Sequence, residues 1–129
     1  MIQANELRIG NLVEKSIKSG QGRTLICKIG CEDIVRVFEN IGSFNYNPIP
    51  LTEEWLKKLG FVYDDMSDTD DDNTWYHLDI GTVKFHSDKS CNFESVYCGV
   101  NMTKLEFKNV HKFQNFVFDL TGKELEFKL

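Results

Sequence analysis

Proline is scarce in this 129-residue chain, with 2 copies against 10 of phenylalanine. Hydrophobic residues at 41% and charged residues at 27% match a soluble globular composition, which excludes disorder as a whole-chain state. Net positive charge is missing too. Fifteen Lys and Arg face 20 Asp and Glu, a formal charge of -5, which argues against a protein whose main work is gripping nucleic-acid phosphates. No apolar run approaches the roughly 20 residues of a membrane helix. The start, Met1 to Arg8, lacks the basic-then-apolar form of a signal peptide. The expectation is therefore a protein that stays in the cytoplasm where it is made and does not meet the membrane.

Catalytic signatures are absent as well. There is no GxxxxGK[ST] or GxGxxG loop to cradle phosphate, no GxSxG elbow and no HExxH pair. The four cysteines, Cys27, Cys31, Cys91 and Cys98, are spaced C-x3-C and C-x6-C. Only the first pair approaches zinc-ligand spacing, so the four read as reduced, core-type thiols. His77 and His86 are placed to lie on neighbouring strands. His111, beside Lys112, reads as solvent-facing. No cofactor, no metal and no catalytic residue is expected, and the chain reads as a non-enzyme.

What is present is an α+β pattern, a mainly antiparallel β-sheet with two short α-helices packed on it, in one domain spanning 1–129. Strand-like runs fall at 7–14, 24–29, 33–38, 75–80, 82–86, 93–100 and 104–107, with 40–50 irregular. The first helix has Thr52 at its N-cap, Glu53 and Glu54 in its first turn, Trp55, Leu56 and Leu59 on one face, and Gly60 at its end. Phe61 is positioned to fold back on that face. The second begins at Asn109, repeats apolar residues at Val110, Phe113, Phe116, Val117 and Leu120, and closes at Gly122. The alternation over 124–129 predicts a half-buried last strand.

The negative charge is concentrated. Residues 64–79 hold seven acids (64, 65, 68, 70, 71, 72 and 79) and no Lys or Arg, so the remainder carries 13 acids against 15 bases, a net of +2. The stretch 64–73 reads as an acidic loop, because adjacent aspartates repel and favour turns. Asp68, Asp70, Asp72 and Asp79 stand at positions 1, 3, 5 and 12 of a calcium loop. However, Asn73 replaces the expected Gly, Asp79 replaces the expected Glu, and the flanks look like strand. A concentrated acidic patch instead steers a basic partner and speeds its association. The candidate partner-binding residues are Asp64, Asp65, Asp68, Asp70, Asp71 and Asp72, with Trp75 and Tyr76 as aromatic anchors.

Three stretches carry a resemblance: Glu6-Leu7-Arg8-Ile9-Gly10-Asn11-Leu12-Val13, the segment Pro48 to Phe61 beginning Pro-Ile-Pro-Leu-Thr-Glu-Glu-Trp-Leu, and the segment Val110 to Leu125 ending Leu-Thr-Gly-Lys-Glu-Leu. Together they cover about 38 residues, under a third of the chain. They resemble a family of small uncharacterised phage and prophage proteins of Bacteroidota. In that family the last stretch has Leu, Leu and Tyr where this chain has Phe113, Phe116 and Val117. The resemblance implies a shared scaffold and a viral origin, and no assigned chemistry. With the acidic loop lying outside the matched stretches, the expectation is a phage-encoded binding protein that inhibits a host factor. An anti-CRISPR inhibitor contacting a CRISPR-Cas effector or its RNA complex is the leading case. A structural or accessory phage protein is the alternative, and a metal-dependent enzyme using the aspartates comes third.

Overall fold

A computed structural model describes residues 2–18, 24–65, 74–80, 83–88, 93–100, 103–125 and 127. The chain is α+β. After a 3-10 turn at Ala4–Glu6, it runs β1 (Leu12–Ile17), β2 (Leu25–Lys28), α1 (Cys31–Glu39), β3 (Phe44–Asn47), α2 (Glu53–Lys58), β4 (Val62–Asp65), β5 (Thr74–Ile80), β6 (Val83–Asp88), β7 (Val96–Val100), β8 (Thr103–Phe107) and α3 (Val110–Thr121). The strands form two antiparallel sheets, one ordered β2-β1-β3 and one ordered β4-β5-β6-β7-β8.

Two sheets rather than one follow from how β1 is used. Adjacent residues of a strand point to opposite faces. Leu12 enters one hydrophobic cluster, with Leu56, Leu59, Phe85, Phe113 and Val117. Val13, the next residue, enters a second, with Ile2, Ile29 and Tyr46. The larger cluster lies between the five-stranded sheet and helices α2 and α3. Phe113 sits in its middle, with ring centroids 5.8 Å from Phe61, 5.0 Å from Phe85 and 5.9 Å from Phe107. Helix α1 covers the small sheet.

Helix α2 forms as its sequence directs. The Thr52 hydroxyl accepts the Trp55 N–H at 3.3 Å, and Gly60 takes a left-handed φ of 95°. The Phe61 N–H donates to the Leu56 carbonyl at 3.0 Å, folding Phe61 back on the helix. Helix α3 ends at Gly122, also left-handed. Asn109 has the extended backbone of an N-cap, but its side chain makes no capping hydrogen bond.

Several expectations are corrected. Among the described residues there are three α-helices, where two were expected. Residues 33–38, expected as a strand, lie in α1. Their β-branched content is outweighed by helical signals: Asp33 accepts the Gly30 N–H at 2.9 Å, Arg36 reaches Glu32 and Asp33 along one side, and Asn40 closes the helix in a left-handed conformation. Residues 44–47, expected as irregular, form β3 and pair with β1. The first strand begins at Leu12, because 4–6 coil into the 3-10 turn. Residues 123–125 and 127 belong to no strand. Leu125 instead drops into the larger core, while Glu124 pairs with Arg8. His111 is buried, not solvent-facing.

Candidate partner-binding edge

The acidic stretch begins on β4, the outermost strand of the five-stranded sheet. Among the described residues β4 pairs only with β5. Val62 lies opposite His77, Tyr63 opposite Tyr76, Asp64 opposite Trp75, and Asp65 opposite Thr74. Its other edge therefore presents backbone N–H and C=O groups that the sheet does not use. Val62 and Tyr63 are both exposed here. The expected loop thus starts later than its sequence suggested, since Asp64 and Asp65 are strand residues. Asp68, Asp70, Asp71 and Asp72 lie outside the described residues, as do the side chains of Asp64, Asp65 and Trp75.

Tyr76 is not an anchor for a partner. Only 2% of it is exposed, and its hydroxyl donates to Glu53 Oε1 at 2.7 Å. Burial, then the bond to the Glu53 carboxylate, pushes its pKa up to about 12. Phe93 meets its ring edge-on at 5.3 Å, and Tyr63 packs at 5.1 Å. Among the described side chains at this edge the aromatic that faces solvent is Tyr63, with Tyr76 as its buried backing. The alternation of β5 places Tyr76, Leu78 and Ile80 toward the core and His77 and Asp79 on the opposite face.

That opposite face carries a transverse row. His77 and His86 lie on neighbouring strands, as the sequence suggested, directly opposite each other, and His86 lies opposite Tyr97, their rings 5.7 Å apart. Cys91, the thiol considered with these histidines, lies outside the described residues. Cys98 is buried on the core side, and burial pushes its thiol pKa up. Among the described residues no three His, Cys, Asp or Glu side chains are placed to hold a metal ion. Asp79 sits within β5 opposite Lys84. No helix among the described residues is long and apolar enough to cross a membrane.

Two polar clusters escaped the sequence reading. In the first, burial would raise the Asp33 pKa, but the Gly30 N–H, the Tyr46 hydroxyl at 2.8 Å, Lys15 and Arg36 outweigh it and hold the carboxyl below its ordinary value. In the second, the 3-10 turn and the start of β1 are strapped to α3. Gln114 Oε1 accepts the Leu12 N–H at 2.8 Å, Asn115 Nδ2 donates to the Glu6 carbonyl at 2.8 Å, and Asn11 Nδ2 donates to Asn115 Oδ1 at 2.7 Å. His111 lies beside this strap, its Nε2 3.9 Å from Glu6 Oε1. The sequence signal was the pair Gln114-Asn115 set between Phe113 and Phe116 on the helix.

Comparison of the chain with protein families, with curated proteins and with solved structures gives no match.

Proposed function

We propose that this is a non-enzymatic, phage- or prophage-encoded binding protein that inhibits a host factor. The case its charge layout fits best is an anti-CRISPR type inhibitor of a nucleic-acid-binding effector, acting inside the bacterial host cell. One observation carries the reading: the acid-rich stretch starts on an open sheet edge beside two exposed apolar residues, Val62 and Tyr63. Aspartates in that position meet the basic groove where an effector holds phosphates. Val62 and Tyr63 supply the desolvated contact that charge alone does not provide. Seven acids without one base over 64–79 give the attraction its direction. The resemblance to phage proteins agrees with such a role.

The test is a gel-shift titration with a guide-loaded CRISPR effector of a Bacteroidota host and its target DNA. The protein should displace the DNA. A variant with Asp64, Asp65, Asp68, Asp70, Asp71 and Asp72 changed to Asn should associate at least roughly tenfold more slowly at low salt, the usual scale of electrostatic steering. An equal rate for both proteins removes the acidic edge from the mechanism. The alternative, a structural or accessory phage protein, draws on a second open edge in the small sheet.

A further inference from the structure

The small sheet ends at β2, which pairs with β1 alone among the described residues. Natural edges are usually blunted by charge or proline. This one is Leu-Ile-Cys-Lys, with its single charge at the last position. Leu25 is 62% exposed and Ile26 40%.

Helix α1 adds a second apolar surface on the same side. Its flank toward β3 is polar: Asp33 accepts the Tyr46 hydroxyl, and Arg36 and Asn40 line a small cleft with Phe44 and Asn45. Ile34 and Val37 point into the core below. At about 3.6 residues per turn, the flank opposite β3 is Cys31, Val35 and Phe38, spaced i, i+4, i+7. That flank looks over the free edge of β2. Phe38 is 79% exposed and Val35 50%. Glu32 and Glu39 lie on the helix's outer ridge, away from it.

We infer that β2 and this flank of α1 form a homodimer interface, with a second copy of the chain adding its β2 antiparallel to the first. A two-fold axis normal to the sheet sets Ile26 opposite its own counterpart and Leu25 opposite Cys27. Both α1 helices then stand on one face of a six-stranded sheet. Strands lie about 4.8 Å apart. A helix centred over β1, between Cys27 and Tyr46, is therefore about 14 Å from its twin. Helices packed through ordinary side chains lie 8–10 Å apart axis to axis, so at about 14 Å the contact falls to the long Phe38 side chains of both copies, with Val35 beside them and Leu25 as the floor.

Charge selects the occupant. A chain of net charge -5 approaches its twin most easily where neither carries charge, and Leu25, Ile26, Cys31, Val35 and Phe38 are such a place. A basic partner finds nothing there to pair with. The exposed fractions of these side chains leave roughly 500 Å² per copy, so the dimer buries about 1,000 Å², the lower bound for a specific interface. An interface at that bound belongs with weak, transient association, so the affinity to test for lies in the micromolar range.

Light scattering on the size-exclusion peak, loaded from about 10 µM to about 500 µM to bracket that affinity, tests this. The mass should rise toward twice the 15.0 kDa of one chain. Phe38→Asp and Leu25→Lys, both at exposed positions that the fold does not need, should each hold it at one chain with unchanged circular dichroism. A wild type that stays monomeric at the highest load overturns the inference and leaves the edge to a strand from another protein. So does a dimer that survives both substitutions. Neither result bears on the acidic edge, which belongs to the other sheet.

Discussion

At the scale of single residues, two buried titratable groups set how stability depends on pH. The Tyr76 hydroxyl is protonated and bonded to Glu53 in the fold, with its pKa at about 12 instead of 10. The unfolded chain therefore releases this proton first as pH rises. Stability from Tyr76 is whole below pH 10 and is lost between 10 and about 12. Tyr76→Phe keeps the ring and should cost about 1.5–3 kcal/mol, the worth of a bond to a charged acceptor, in urea melts at neutral pH. His111 works in the opposite direction. Burial lowers its pKa, with Glu6 opposing and Lys112 assisting, and neither ring nitrogen has a hydrogen-bond partner. The unfolded state thus takes up the proton first, so stability is complete above the ordinary histidine value of 6.5 and falls as the solution is acidified. His111→Leu should flatten the loss of stability between about pH 6.5 and 5; an unchanged slope would mean that another group titrates there.

At the scale of elements, caps and one carboxylate decide whether the helices hold. Thr52→Ala removes the acceptor for the Trp55 N–H and should destabilise the protein by about 1 kcal/mol in denaturant melts. Asp33→Asn keeps the shape but weakens charge-assisted bonds to Tyr46 and leaves Arg36 without its closer carboxylate; a loss of about 1–3 kcal/mol is expected. Helices α2 and α3 were legible because cap, apolar face and closing glycine agree. Helix α1 was not, because Ile34, Val35, Val37 and Phe38 have strand character. The helical pattern was there all the same, with Cys31, Ile34, Val35, Val37 and Phe38 on one side and Glu32, Asp33, Arg36 and Glu39 on the other, but in so short a run the β-branched content masked it. The β5–β6 hairpin was readable from two strand-like runs parted at Gly81, which put His77 and His86 on neighbouring strands; their direct opposition came from the register.

At the scale of the whole molecule, the hidden features are those that sequence spacing does not encode. Leu12 and Val13 divide between two cores, and no local pattern announces a second sheet. The acid cluster was countable from sequence, but the place of Asp64 and Asp65 on an edge strand, the burial of Tyr76 and the exposure of Tyr63 came from strand pairing and packing. The edge strands β4 and β2 differ in chemistry, β4 carrying Asp64 and Asp65 and β2 no charge over most of its length. On this account the first meets a basic partner and the second meets its own copy. The most direct measurement is affinity capture from a Bacteroidota host lysate, with mass spectrometry of everything retained, using the wild type beside the variant with the six aspartates 64, 65, 68, 70, 71 and 72 changed to Asn. The expected result is a basic, nucleic-acid-binding host protein recovered by the wild type and lost with the variant. Recovery of the same proteins by both, or of virion components, would contradict the account.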